Sequence, residues 1–281
     1  ETSENIVLAV VQPDSRSWPA WRQSHKNNAD LIRKFVDYIS SITPGTSVQV
    51  TLTGHSGGSS FLFGYLNGCE TIPAFIDRIA FLDANYSFST EDSHDKKLIA
   101  WLSRNNNNRL MVIAYDDRNI TLNGKPVVSP TGGTYRASHR MIEAFRKSNN
   151  FSQSENGPFE DCEGFGGRCI FYVHKNPENK ILHTALVGEM NGFLEAMAFG
   201  TKSEGKWGTW GGPRAYTDWI DGLAEKGDTS QQTSNPTYTF PQRKLTAIAG
   251  SEFVKLNSSV TADEREKNIV IEIASGNAPD F

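Results

Sequence analysis

The stretch Val48-Gln49-Val50-Thr51-Leu52-Thr53, followed by Gly54-His55-Ser56-Gly57-Gly58, decides the fold of this chain. The first six residues are rich in β-branched side chains and follow Pro44-Gly45, which is typical of a strand. Residues 59–66 are apolar and small, which suits a buried helix. The glycines two residues before and after the serine predict a sharp strand-to-helix turn, because side chains would collide at both positions.

A turn of this kind has a chemical consequence for its central serine. It strains the serine backbone and lifts the hydroxyl above the edge of the sheet. The free N–H groups of the following helix point at whatever the serine attacks. The alternative is a glycine-rich turn that grips an anion. The strand before and the helix after favour a nucleophile elbow, with Ser56 as the nucleophile.

Apolar runs alternate with amphipathic segments through the first two-thirds of the chain. Continuous apolar runs suit buried parallel strands, and a 3.6-residue period predicts helices. The predicted strands are residues 6–11, 48–53, 78–82, 110–115 and 169–173, and the predicted helices are 28–42, 95–102, 135–147 and 188–199. This alternation predicts an α/β fold with a doubly wound, mostly parallel sheet. Active sites in such sheets lie at the carboxyl ends of the strands.

Composition divides the chain into three parts. Residues 1–225 form the predicted catalytic domain, and residues 226–242 turn to Ser, Thr, Gln and Pro, as in a linker. Residues 243–281 are predicted to hold two short helices, at 245–256 and 262–275. We interpret this part as a short helical tail or the start of a truncated second domain.

A segment rich in Trp and Gly, residues 205–219, precedes the linker. It includes Trp207, Trp210 and Trp219, which suit either a platform for a sugar ring or a loop that packs its indoles on the domain. Buried aromatic side chains usually serve packing, so the second interpretation is favoured.

The bulk properties exclude several classes of protein. With 281 residues and 37% hydrophobic content, the chain is long enough to bury a full α/β core. Its net charge of −4 argues against a nucleic-acid partner, and no apolar run is long enough to cross a bilayer. Neither zinc-ligand spacing nor a G-x-G-x-x-G turn occurs, so we expect neither a metal nor a nucleotide cofactor.

Cysteine usage leaves two states open. Cys162 and Cys169 flank a short glycine-rich loop, which they either close as a disulfide or border as two reduced thiols. The polar start of the chain suggests that a processed or trimmed segment precedes it. Four Asn-x-Ser/Thr sequons lean slightly towards a secreted protein, and they begin at Asn85, Asn119, Asn150 and Asn257.

A serine hydroxyl needs partners before it can act as a nucleophile. A base must take its proton, and the base is usually His, whose ordinary pKa lies near neutrality. A carboxylate then fixes the tautomer of the His and stabilises its charged form. The chain must therefore supply a His and an acid at strand ends that follow Ser56.

Gly54-His55-Ser56-Gly57-Gly58, on a strand–turn–helix within a βα repeat, resembles the α/β-hydrolase family over roughly residues 5–200. The resemblance implies the order Ser, acid, His, with the acid after the second strand beyond the elbow strand. That position holds Asp116 and Asp117. We choose Asp116, which comes first, since Asp117 can instead form a turn or pair with Arg118. Asp83 is a further alternative, because some members of the family carry the acid one strand earlier.

The resemblance also implies a base after the last strand. His183 lies in a loop before a helix and is our choice, while His174, which ends the last predicted strand, is the alternative. His55 lies inside the elbow, where a side chain packs or positions its neighbours.

An oxyanion hole needs two hydrogen-bond donors. The resemblance assigns one to the backbone N–H of Gly57 and the other to a loop after the third strand of the full fold. That strand is not visible, since only residues 6–11 precede the elbow strand as a strand. Either a missing upstream segment or a partner chain supplies the donor, or the loop after residues 6–11 does so through Gln12 or the backbone of residues 15–17.

The sequence thus predicts a serine hydrolase that cleaves an ester or amide bond through an acyl-enzyme on Ser56. Its expected substrate is a small-molecule, polysaccharide or peptide ester. The alternative is a non-catalytic α/β-hydrolase-like protein that acts as a binding or scaffold module, which the absent oxyanion strand motivates.

Overall fold

The structure is a computed structural model that describes residues 5–43, 45, 47–215, 243–245, 256–258 and 267–273. Helices in these ranges are α1 (Trp18–Ser24), α2 (Asn28–Ile42), α3 (Ser59–Gly68), α4 (His94–Arg104), α5 (Thr134–Arg146) and α6 (Gly192–Ala198). The longer strands are β1 (Asn5–Val11), β2 (Val48–His55), β3 (Ile76–Leu82), β4 (Arg109–Tyr115), β7 (Phe151–Asn156), β8 (Phe159–Gly164), β9 (Cys169–His174) and β12 (Lys267–Ile273). The short strands are β5 (Thr121–Leu122), β6 (Lys125–Pro126), β10 (Arg243–Leu245) and β11 (Leu256–Ser258).

Ten of these strands form one sheet in the order β10-β11-β1-β12-β2-β3-β4-β9-β8-β7. Its six central strands, from β1 to β9 in this order, are all parallel. The strands outside them, two at each end of the sheet, are antiparallel to their neighbours. This confirms the prediction of a mixed α/β fold with a mostly parallel sheet. No helix within the described ranges is both long and apolar enough to cross a membrane.

The prediction of a helical tail is wrong where the structure describes it. Residues 267–273 form β12, which lies between β1 and β2 and is parallel to both. Residues 256–258 are also a strand, while the linker at 226–242 lies outside the described residues. The run Ile269-Val270-Ile271 is β-branched and favours a strand. Strand β12 thus lies beside the elbow strand β2, where no strand was predicted from the sequence.

Helix α1 and the hairpin of β7 and β8 are among the elements that were not predicted from the sequence. Helix α1 begins after Ser17, whose hydroxyl accepts a hydrogen bond from the backbone N–H of Ala20, and it has Pro19 in its first turn. Both features are typical of a helix start. Strands β7 and β8 form a hairpin whose turn contains Gly157 at φ +57°.

Side chains on the two faces of the sheet belong to two apolar clusters. The larger cluster lies between the sheet and helices α1 to α5, and it includes Phe35, Phe61, Phe81 and Phe171. The smaller cluster on the other face includes Ala196 of α6. Helices therefore cover both faces, as in a doubly wound sheet.

Helix α3 packs behind the elbow and is apolar on all sides. Its side chains from Phe61 to Leu66 are at most 1% exposed. Helix α2 lies so close to it that a Cβ atom at Gly68 would overlap the backbone carbonyl of Ala29. A Cβ at Gly64 would instead meet side-chain atoms, the tip of Ile32 at 2.5 Å and Nε of Arg22 at 3.2 Å.

Gly68→Ala is therefore expected to destabilise the fold by about 1–3 kcal/mol, because backbone atoms of α2 must move. Gly64→Ala is the matched control in the same helix. Its overlap is with a flexible side chain and is offset by a gain of about 1 kcal/mol in helix propensity. Urea unfolding of both variants measures the difference. Equal stabilities would contradict the close approach of α2 to α3.

Candidate active site

The elbow has the predicted geometry. Ser56 follows β2 directly and has φ +51°, in the left-handed region that L-residues avoid. A Cβ at Gly54 would lie 3.1 Å from the backbone carbon and oxygen of Gly58. The hydroxyl of Tyr86 donates a hydrogen bond of 2.8 Å to the carbonyl oxygen of Ser56, which helps to hold the strained turn. Ser56 itself is half-buried.

Asp83 follows the neighbouring strand β3 and binds His183. Its Oδ2 lies 2.5 Å from Nδ1 of His183, and the side chain of Asp83 is 2% exposed. The backbone of Asp83 also has positive φ, +49°, and its N–H donates to the carbonyl of Ile113 on β4. The residue directly after β2 and the residue directly after β3 are therefore both strained, and both carry a functional group.

This contact fixes the tautomer of His183. A carboxylate only accepts hydrogen bonds, so Nδ1 carries the proton and Nε2 keeps a free electron pair. Burial lowers the pKa of His183, but the hydrogen bond and charge of Asp83, with the charge of Asp117, outweigh burial and raise that pKa. The ring is accordingly a stronger base than an ordinary His.

His55 holds His183 from the other side. Its Nε2 lies 2.9 Å from the backbone carbonyl of His183, and the two ring centroids are 4.4 Å apart. Since a carbonyl only accepts, His55 donates from Nε2. Burial, and then the neighbouring charge of His183, lower the pKa of His55 to about 4. His55 is therefore neutral near pH 7 and links the elbow to the loop of His183, as a positioning residue would.

Asp83 has a second partner on α5. Its Oδ1 accepts a short hydrogen bond from the hydroxyl of Thr134, the first residue of that helix. The backbone N–H of Thr134 donates to Oδ2 of Asp117 at 2.8 Å. Thr134 and Asp117 are each 4% exposed. The role of Thr134 could not be predicted from the sequence, because nothing local marks a helix-start threonine as the partner of an acid fifty-one residues earlier.

The prediction that Asp116 meets His183 is wrong. Asp116 pairs instead with Arg118, through bonds of 2.8 and 2.6 Å, and its side chain is 16% exposed. The guanidinium of Arg118 holds the pKa of Asp116 below its ordinary value. The acid that contacts His183 is Asp83, the alternative from one strand earlier. Asp117 binds the backbone N–H of Thr134 instead, and Arg118 forms its ion pair with Asp116.

The alternative base, His174, lies apart from this cluster. Its Nδ1 accepts a hydrogen bond of 2.9 Å from the backbone N–H of Asn176, and its ring packs edge-on against Phe159. Of the two His residues considered as the base, the structure brings only His183 to an acid beside the elbow.

The oxyanion candidates are placed differently. Gly57 directly follows Ser56, and its backbone is half-buried at the start of the turn into α3. Gln12 is exposed at the end of β1, and β12 separates β1 from the elbow strand. Two strand spacings, about 10 Å, therefore lie between the end of β1 and that of β2. This distance argues against Gln12 as the second donor.

Three further residues singled out in the sequence serve packing, while Trp219 lies outside the described residues. Cys162 and Cys169 are buried, free thiols, so of the two predicted states the structure has the reduced one. Trp210 packs against Phe159 and Tyr172, with ring centroids 4.9 and 5.2 Å apart, in line with the packing interpretation.

Comparisons with protein-family models, with curated proteins and with solved structures found no match to this chain.

The strain at Ser56 has a measurable consequence. Ser56→Gly is expected to be more stable than Ser56→Ala by about 0.5–1 kcal/mol, because glycine adopts positive φ without the clash of a Cβ. Denaturant unfolding of the two variants provides the comparison.

Ser41, on the exposed side of α2, serves as the control. There the order should reverse, with alanine more stable than glycine by about 1 kcal/mol. An alanine variant at position 56 that matches or exceeds the glycine variant would show that the turn is not strained.

Proposed function

We propose that this protein is a serine hydrolase that cleaves an ester or amide bond through an acyl-enzyme on Ser56. The observation that carries the proposal is the contact of 2.5 Å between Asp83 and His183, beside a serine whose φ is +51°. The order Ser56, Asp83, His183 along the chain and the mostly parallel sheet support an α/β-hydrolase type of fold.

In the proposed reaction, Ser56 is the nucleophile and His183 is the base. Nε2 of His183 takes the hydroxyl proton as Oγ of Ser56 forms a bond to the substrate carbonyl carbon. Asp83 stabilises the imidazolium that results, since its carboxylate faces Nδ1. The imidazolium then returns the proton to the leaving alcohol or amine as the bond to the carbonyl carbon breaks. Water repeats both steps and releases the acid.

His55 supports this chemistry without taking part in it. Its side chain donates to the backbone of His183 and not to a side chain that reacts. Because the pKa of His55 is lowered to about 4, it places no second positive charge beside the imidazolium. This matters because a neighbouring positive charge would lower the basicity of His183.

Negative charge develops on the substrate oxygen during the reaction. The backbone N–H of Gly57 is the proposed donor to it, because it belongs to the residue after the nucleophile and lies at the start of a turn into α3. On one side, the elbow strand is flanked by β12, with Ile273 in register with Gly54.

We propose an ester of a small molecule, polysaccharide or peptide as the substrate.

A fluorophosphonate probe tests the proposal directly. Ser56 of the wild type should be labelled, and Ser56→Ala should not be, since the probe bonds covalently to an activated serine. The rate of labelling should rise with pH through the pKa of His183, which lies above the ordinary value of about 6.5. Mass spectrometry of the labelled peptide identifies the residue.

A folded wild type that resists the probe would favour the non-catalytic binding or scaffold protein. Hydrolysis of a short p-nitrophenyl ester that disappears in His183→Ala would count against that alternative.

The two strand-end aspartates give a matched pair of variants. Asp83→Asn is expected to lower kcat/KM by about 10³–10⁴-fold, because an amide cannot fix the tautomer of His183 or stabilise its charge. Asp116→Asn should change kcat/KM by less than about three-fold, since it breaks only a surface pair worth about 0–1 kcal/mol. Steady-state kinetics with a p-nitrophenyl ester measures both. A larger loss of kcat/KM in Asp116→Asn than in Asp83→Asn would show that the acid is Asp116, after β4, and not Asp83.

A further inference from the structure

We propose that Thr134 and Asp117 are positioning residues that form a buried hydrogen-bonded chain behind the Asp83–His183 pair. Whether Asp117 in this chain is protonated or ionised determines how much negative charge lies near His183. The significance of the chain for catalysis rests on the proposed function, whereas the chain itself rests on contacts between described residues.

The chain begins at Asp83, where both carboxylate oxygens are occupied. One binds Nδ1 of His183 at 2.5 Å, and the other accepts the hydroxyl of Thr134. A carboxylate held at both oxygens cannot rotate without breaking one of the bonds, and Asp83 is only 1% exposed, so water does not offer a replacement. Thr134 therefore fixes the oxygen that faces His183.

Thr134 is fixed in turn by Asp117. The backbone N–H of Thr134 donates to Oδ2 of Asp117 at 2.8 Å, and the Thr134 hydroxyl oxygen lies 3.4 Å from that same Oδ2. Gly133 packs so closely that a Cβ there would overlap the Asp117 carboxylate. The first turn of α5 is therefore built directly onto Asp117.

The proton count gives the chain its direction. The hydroxyl of Thr134 has one proton, and its short contact with Asp83 assigns the proton to that bond. The Thr134 oxygen can then still accept, and a protonated Asp117 can donate to it. In this state the order of donors runs from Asp117 to Thr134 to Asp83, and His183 donates to Asp83 from the opposite side.

Burial and charge both favour the protonated form of Asp117. Two buried carboxylates bridged by one hydroxyl repel each other when both are ionised. Burial raises the pKa of Asp117 to about 6, the backbone N–H of Thr134 opposes that rise, and the charge of Asp83 adds to it.

The titratable or charged groups that interact with Asp117 come from several elements. They are Asp83 after β3, Tyr115 at the end of β4, Arg118 in the following loop and His183. Of these, His183 is the one whose protonation the proposed reaction uses. Ionisation of Asp117 adds negative charge near the imidazolium, so it raises the pKa of His183.

The test is an NMR titration of the His183 ring in a Ser56→Ala background, which needs no catalysis. Asp117→Asn, which removes the charge but keeps an acceptor for Thr134, should lower the pKa of His183 by less than the 1–3 units of a direct contact. Thr134→Val should shift the Nδ1 proton of His183 upfield, because Asp83 is then free to rotate and its bond to His183 loosens. Thr134→Ser should restore that signal.

Thr53→Val is the matched control. Thr53 is also a buried threonine, and its hydroxyl has no hydrogen-bond partner among the described residues. This variant should leave the Nδ1 signal and the pKa of His183 unchanged. The NMR titration can also follow the Asp117 carboxyl itself in protein that keeps Asp117 and Thr134. This carboxyl should titrate near pH 6.

Three outcomes overturn the chain: an unchanged pKa of His183 in Asp117→Asn, an Asp117 carboxyl that titrates near the ordinary value of about 3.9, or equal effects of the two valine variants. Fluorophosphonate labelling of the same variants with Ser56 restored separates the two proposals. If the wild type resists the probe while the pKa of His183 shifts as expected, the hydrolase assignment fails and the chain stands. If the probe labels Ser56 while that pKa does not move, the chain fails.

Discussion

The buried carboxylate of Asp83 is the interaction on which the arrangement of this site depends. A charge on a side chain that is 2% exposed must be compensated by hydrogen bonds at both oxygens, or burying it would cost several kcal/mol. Its two partners come from different parts of the fold, His183 from a loop after β9 and Thr134 from the start of α5. Satisfying this one group therefore fixes the base and the first turn of a helix together.

Strain and topology cooperate at the same edge of the sheet. Because parallel strands end at a common edge, the residues after β2, β3 and β4 lie side by side. Ser56 and Asp83 both have positive φ there, which costs about 1–2 kcal/mol each. Bonds from Tyr86 to the Ser56 carbonyl and from Asp83 to β4 hold these turns. The apolar helix α3 and the core behind it supply the stability that the strained positions lack.

The sequence predicted what depends on local pattern and missed what depends on distant partners. Continuous apolar runs and the helical period located five of the six central strands and every described helix except α1, and the crowding of glycines located Ser56. The choice between Asp83 and Asp116 could not be made this way, since both directly follow a strand. It depends on Thr134 and His183, which are 51 and 100 residues from Asp83. Strand β12 was missed although its β-branched run favours a strand, and its place in the sheet depends on partners from the first fifth of the chain.

The position of Asp117 shows why structural and chemical roles are difficult to separate here. Helix α5 has a glycine, Gly133, at its N-cap, so no side chain at that position satisfies the first N–H groups. Asp117 accepts from Thr134 instead, and a carboxylate at a helix N-terminus is stabilising. The same placement buries Asp117 and brings it towards Asp83, and both effects make its ionised form less favourable. The helix start favours the charged carboxylate, whereas burial and the neighbouring acid favour the neutral one and raise the pKa of Asp117 to about 6.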